Sequence, residues 1–335
     1  MYIKVFRLLI LIYLSFSYGV VAKESITLRV SSYLSPLSHS VKSIYEPWMK
    51  SIIEASGGEI AFEVYWGGSL GRSAYKQYDL VKAGVTDIGL VQPSYTPGQF
   101  PQMQVFELPF MMRSSTEASL AAWKLYQLGA LKGFEDVKLL GLWTAEPSNL
   151  FTRDGARQYD DIRGLKIRSV GRLEGDFLNK LGAVPEALHP SDAVEALRRG
   201  TLDGVIQGWI ALNTFQTYRE TDHVITAPLG TVSFALLMNK DAWKSIPDDL
   251  KVILDNNSGR KIALIGGEAY DRRQREISSK LKKQNHLTFE EAGLSKIEEM
   301  QNYVEPIAQA WMKRTQNGKE TLLLLNEILK DIRSE

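Results

Sequence analysis

Few residues in this chain have the types and spacing that chemistry needs. There is no cysteine, which removes thiolate metal sites, iron–sulfur clusters, disulfides and a cysteine nucleophile. The four histidines, His39, His189, His223 and His286, show no spacing that gathers ligands, so neither a metal site nor a cofactor is expected. HExxH, P-loop and GxGxxG patterns do not occur. Gly67-Gly68-Ser69-Leu70-Gly71 fits the G-x-S-x-G nucleophile elbow, after a strand-like run and before a helical one. An elbow belongs on a central strand with an acid and a histidine to follow, and no oxyanion-type HGG precedes this one. A Gly-rich turn is the plainer reading of it. Arg168 is a different case: it closes the run Leu165-Lys166-Ile167-Arg168, just ahead of Ser169, Gly171 and a helical pattern. A guanidinium at a strand end beside a helix N-terminus suits two-pronged capture of a carboxylate. A surface ion pair is the alternative.

The elements that must position these residues follow from periodicity. Ile26–Val30 alternates as a strand, and apolar residues recur at helical spacing from His39 to Ala55 until Gly57-Gly58. Strand Ile60–Tyr65, helix Ser73–Ala83, strand Asp87–Val91, helix Ser115–Leu128 and strand Val137–Trp143 follow. This β/α alternation favours an α/β fold with parallel strands. A second set begins near residue 146: strands Leu150–Thr152 and Leu165–Arg168, helices Gly171–Leu181 and Pro190–Arg199, and strand Gly204–Ile206. The buried strand Ser233–Met238 can return to the first sheet. From Pro247 on, 248–283 and 292–331 read as long amphipathic helices.

The two sets share a weak internal repeat. Leu80-Val-Lys-Ala-Gly84-Val-Thr-Asp87-Ile-Gly-Leu-Val-Gln92 matches Ala196-Leu-Arg-Arg-Gly200-Thr-Leu-Asp203-Gly-Val-Ile-Gln207. Each is a helix end, a glycine, an aspartate that can hold the turn, and a strand ending in glutamine. Open α/β sheets bind ligands at strand C-termini. Two such units therefore suggest two sheets facing one cleft, unless ordinary turn chemistry has recurred by chance.

Length and charge bound the rest. At ~100–200 residues per domain, 335 residues make roughly two domains. With 40 Lys+Arg against 39 Asp+Glu, no basic excess points to nucleic acid. Lys4 and Arg7 precede an apolar run, Leu8 to Leu14, and then small residues up to Ala22. That order reads as a secretory signal peptide over 1–22, cleaved near Ala22, because ~20 apolar residues would be needed to span a membrane. A cysteine-free exported chain fits a bacterial periplasm.

At the level of whole segments the chain resembles the solute-binding proteins of tripartite ATP-independent periplasmic (TRAP) transporters, the DctP family. The resemblance covers roughly 26–325. It rests on Gly67-Gly-Ser-Leu-Gly71, Ala83-Gly-Val-Thr-Asp87-Ile-Gly, Tyr95-Thr-Pro-Gly98-Gln-Phe-Pro101, Phe106-Glu-Leu-Pro-Phe110, Asp161-Ile-Arg-Gly-Leu-Lys-Ile-Arg168, Gly182-Ala-Val-Pro185 and Ile246-Pro-Asp-Asp-Leu250. It implies an α/β, two-domain periplasmic binding protein of type II-like build, with a ligand cleft between domains and a long hinge-spanning helix. Domain I would be 23–145 plus about 231–280, and domain II 146–230 plus part of about 290–330. It implies a receptor rather than an enzyme, monomeric, which gives a small organic acid to the small and large subunits of a membrane permease. Arg168 falls on the family's carboxylate-binding arginine.

The chain also departs from the pattern. Where dicarboxylate- and sialic-acid-binding members read Asp-Gly-Gln-Glu-Asn-Pro, this chain reads Asp203-Gly-Val-Ile-Gln207-Gly-Trp209. A second arginine of those members falls near Ser148-Asn149. A monocarboxylate is therefore favoured, a 2-oxo, 2-hydroxy or aromatic acid, with Gln207, Ser148 or Asn149 orienting it and Trp209 as a flat wall. By position Tyr33, Gln92, Tyr95 and His39 complete the expected contacts. A receptor for an ABC importer or a sensor kinase, and a hydrolase using Ser69, are the alternatives.

Overall fold

A computed structural model describes residues 25–153 and 156–334. The proposed signal peptide lies outside the described residues. The chain opens with β1 (Ile26–Ser31), α1 (Glu46–Ala55), β2 (Ile60–Tyr65), α2 (Gln77–Lys82), β3 (Ile88–Val91), α3 (Ser115–Gln127) and β4 (Val137–Thr144). It continues through β5 (Asn149–Thr152), β6 (Lys166–Ser169), α4 (Arg172–Lys180), β7 (Val184–Ala187), α5 (Pro190–Arg198), β8 (Gly204–Gln207), α6 (Trp209–Thr214) and β9 (His223–Thr226). β10 (Ser233–Asn239), α7 (Lys240–Ser245), α8 (Asp248–Asn256), α9 (Arg260–Lys283), β11 (Thr288–Glu291), α10 (Leu294–Arg314) and α11 (Gly318–Ser334) complete it.

The strands form two sheets, in the orders β2-β1-β3-β10-β4 and β11-β9-β5-β8-β6-β7. β1 pairs in parallel with β2 and β3, while β10 runs antiparallel between β3 and β4. In the second sheet β6 pairs in parallel with β7 and β8, and β5 runs antiparallel to β8 and β9. Both sheets are therefore mixed: the expected parallel pairs β2-β1-β3 and β8-β6-β7 are present, and an antiparallel strand, β10 or β5, adjoins each set. The strand over 233–238 does return to the first sheet. The G-x-S-x-G segment follows β2 at that sheet's edge, with Ser69 exposed, and not on a central strand.

Two crossings join the sheets, and they run side by side. The Ala145 N–H donates to Val232 O, Ser148 N–H to Gly230 O and Leu229 N–H to Ser148 O. The long α9 packs on α3 and β4 at one side and on α6 at the other, so it spans the two halves. Its close fit to α3 depends on size. A Cβ at Gly267 would lie 2.5 Å from the Thr116 Cα, closer than packed carbons come. Asp271 of α9 then accepts from the Ser115 and Thr116 N–H groups at the start of α3, where the helix dipole favours an anion.

Three long-helix expectations are adjusted. Residues 41–45 are wound as a π-turn ahead of Pro47, which has no N–H to give and whose ring crowds the preceding turn. The segment 248–283 is two helices, broken at Gly259, whose φ of +63° an L-residue rarely adopts. The segment 292–331 breaks before Gly318, with Asn317 at φ +55°.

Candidate functional site

The internal repeat has a shared geometry. Gly84 and Gly200 both turn with positive φ, +71° and +70°, as a helix C-terminal glycine does. Asp87 accepts from the Arg29 N–H of β1 at 2.8 Å, and Asp203 from the Lys166 N–H of β6 at 2.8 Å. Each aspartate thus ties the start of its strand to the neighbouring parallel strand. The strands then run to Gln92 and Gln207, and both glutamines line one cavity between the sheets.

Arg168 enters the same cavity from β6 and is only 2% exposed. Its Nε donates to Leu188 O at 2.9 Å and one terminal nitrogen to Ile206 O at 3.2 Å. Among the described residues no carboxylate comes within ion-pair distance of it. Burial pulls its proton affinity down, partly offset by Tyr95 and Glu174. A buried guanidinium held by neutral carbonyls, with no ion pair of its own, favours an anionic guest. Around it, Gln207 Nε2 is buried without a partner. Tyr33 donates its hydroxyl proton to Gln92 Oε1 at 3.0 Å. His189, the N-cap of α5, sets its ring edge-on to Phe215.

The free volume is about 120 Å³, on the order of the ~150 Å³ of a cavity that takes up one benzene ring. Arg168 is the sole Arg or Lys among the lining residues. Burial lowers the His39 pKa to about 4 and that of His189 below its ordinary value, so neither imidazole adds charge at neutral pH. Ile210, Phe215 and Phe234 supply apolar wall. Tyr33, Tyr95, His39 and Ser148 also line the cavity.

Two expected contacts lie elsewhere. Trp209 does not line the cavity. It stacks on Phe289 at 5.5 Å and 11°, and sets its edge on Phe151, because the first turn of α6 sends Ile210 and Ala211 inward instead. Asn149 also faces away, accepting from the Ala227 N–H through Oδ1 at 3.2 Å. Adjacent residues of an extended chain point to opposite faces, so with Ser148 inward Asn149 must be outward.

Sequence reasoning missed Glu146 altogether. It lines the cavity from the first crossing, with Oε1 accepting from the Ile210 N–H at 2.7 Å and Oε2 buried without a partner. Burial raises its pKa to about 7. Its partner lies 64 positions away, so no local spacing could have marked it. Glu107 and Glu174, buried nearby in the chain's interior, are pushed up to about 8 and about 7 by the same cause.

The model of the bacterial extracellular solute-binding protein family 7, DctP, matches residues 30–315. The chain belongs to that family. As a TRAP-type solute-binding protein it has the expected two-sheet α/β architecture, and solved relatives share it closely. A TRAP solute-binding protein from Rhodoferax ferrireducens, in complex with copurified benzoate, is 30% identical, covering 92% of this chain and 98% of that one, with a TM-score of 0.85. A marine-metagenome TRAP solute-binding protein specific for aromatic acid ligands, in complex with 3-hydroxybenzoate, is 27% identical over 92% and 99%, with a TM-score of 0.86. Among curated relatives, the outer membrane transporter protein TsaT of Comamonas testosteroni is 26% identical over 307 residues, 88% of this chain and 89% of that protein. The family is one of transport receptors, whose members bind small organic acids. No helix among the described residues is long and apolar enough to cross a membrane.

Proposed function

We propose that this protein, exported to the periplasm and monomeric there, captures a small aromatic monocarboxylate and delivers it to the small and large subunits of a TRAP permease. The observation that carries this is Arg168: a buried cation with two carbonyl partners, no acid within reach among the described residues, and an apolar cavity in front of it. The ligand carboxylate pairs with its guanidinium, and Gln207 Nε2 supplies a further donor. Phe215, Phe234 and Ile210 pack the ring. With one cation in the lining, a second carboxylate finds no counter-charge, which favours a monoacid. The benzoate and 3-hydroxybenzoate of the two solved relatives have this chemistry.

The lobes are 23–145 with about 231–280, and 146–230 with part of about 290–330. They close by bending at the paired crossings while α9 holds them together. Closure brings Tyr33, Gln92 and Tyr95 from the first lobe toward Arg168 and Gln207 from the second, excludes water and strengthens the ion pair. A thermal-shift screen against aromatic and aliphatic mono- and dicarboxylates tests the proposal, since a ligand that binds only the native state raises Tm. Aromatic monoacids should give the largest shifts. A screen in which only dicarboxylates or neutral solutes stabilise the protein overturns it.

A further inference from the structure

The second charged group of the cavity is Glu146, and its surroundings are built. Oε1 is fixed by the Ile210 N–H at 2.7 Å, while Oε2 is buried with no partner and the residue lines the cavity. Gly208 makes the room: a Cβ there would stand 2.4 Å from Glu146 Oε1. The carboxyl thus occupies the space that a side chain at 208 would fill. It also lies apart from Arg168. Arg168 donates to Ile206 O inside β8, whereas Glu146 accepts from the Ile210 N–H four residues further on, past the end of that strand. The groups that face it are Tyr270 and Asp271 of α9, whereas Arg168 faces Tyr95 and Glu174.

We propose that Glu146 is a specificity-determining residue that reads a hydroxyl on the ring of the bound acid, at the side away from the carboxylate held by Arg168. This rests on the monocarboxylate reading above and extends it to a hydroxylated aromatic acid. A hydroxyl both donates and accepts, so it satisfies Oε2 whether the carboxyl carries its proton or not. An unsubstituted ring leaves Oε2 buried and unpaired, which costs affinity. A second carboxylate at the same place meets a like group. One apolar cavity with one acid-capturing end and one hydroxyl-reading end therefore selects among ring acids, not merely for them.

Calorimetric titration of the full mature protein at neutral pH with benzoate, 3-hydroxybenzoate, 4-hydroxybenzoate and isophthalate tests this. In the wild type at least one hydroxybenzoate should bind about tenfold or more tighter than benzoate, and isophthalate should be the weakest. Glu146→Ala should bring the hydroxybenzoate-to-benzoate ratio close to one while benzoate affinity changes only a few-fold. Glu146→Gln keeps both a donor and an acceptor, so it should retain the hydroxyl preference and tighten isophthalate binding. It carries the test if Glu146→Ala does not fold. A hydroxyl preference that is lacking in the wild type, or unchanged in Glu146→Ala, overturns the inference and leaves the benzoate site standing. So does isophthalate affinity unchanged in Glu146→Gln. Binding of no aromatic acid at all overturns this inference together with the function it extends.

Discussion

At the scale of single residues, the cavity keeps a buried cation without an acid in ion-pair reach among the described residues. Arg168 spends its Nε and one terminal nitrogen on the carbonyls of Leu188 and Ile206, which fixes the plane of the guanidinium and leaves the rest of the fork for a guest. Lysine cannot do this, because a single ammonium on a flexible stem has neither the plane nor the spread of donors. Arg168→Lys should therefore fold and still bind benzoate, but more weakly by about 1.5 kcal/mol, the low end of what one charged hydrogen bond is worth. Titration calorimetry reads this directly, and equal affinity would show that the fork geometry is irrelevant. The sequence made Arg168 legible because strand, residue type and following helix were all local. It placed Gln92, Gln207, Tyr33 and Tyr95 near the same strand ends for the same reason. Trp209 and Asn149 were misplaced because side-chain direction at a strand start and at a helix N-terminus shifts with one residue of register. Glu146 was invisible because its meaning depends on Gly208 and Ile210, far along the chain.

At the scale of elements, the repeated turn is the device that aims the cavity residues. Asp203 holds the Lys166 N–H at the start of β6, two residues ahead of Arg168 on that strand. Asp203→Ala removes that acceptor at a partly exposed position, so it should destabilise the fold by about 0.5–1.5 kcal/mol. Urea unfolding measures it, and an unchanged midpoint would show that the turn holds without its aspartate. Most of the elements with strong periodicity were readable: β1 to β4, α3, α4, α5 and β10 match the apolar patterns closely. The strands β7, β9 and β11 were not read. Each has four residues, and β7 and β11 are edge strands with no buried residue and little apolar alternation. The break at Gly259 was hidden inside a run whose helical period continues on both sides. Its cause is tertiary, since a Cβ there would meet the Trp123 ring at 2.6 Å.

At the scale of the molecule, buried acids set a pH dependence. Glu107, pushed up to about 8, and Glu146 and Glu174, each pushed up to about 7, hold protons more tightly in the fold than in the unfolded chain, where the carboxyl titrates at 4.5. Such groups support the fold fully below about 4.5 and withdraw that support as pH rises through their folded values. His39, lowered to about 4, acts in the opposite sense, but its effect is complete above its ordinary 6.5. From pH 6.5 to about 8.5 the acids therefore act unopposed by it, and Tm should fall across that window. Glu107→Gln should flatten the fall, as followed by circular dichroism. A Tm that rises over the same window would contradict the burial of these groups.

The paired crossings and α9 join the two sheets around one cavity, and the function proposed for that cavity rests on Arg168. The most direct measurement of that claim is the affinity of wild type and Arg168→Ala for benzoate by titration calorimetry. Wild type should bind it at one site, and Arg168→Ala should lose about 1.5–3 kcal/mol, roughly 10- to 150-fold in Kd. Equal affinity in the two proteins would contradict the account.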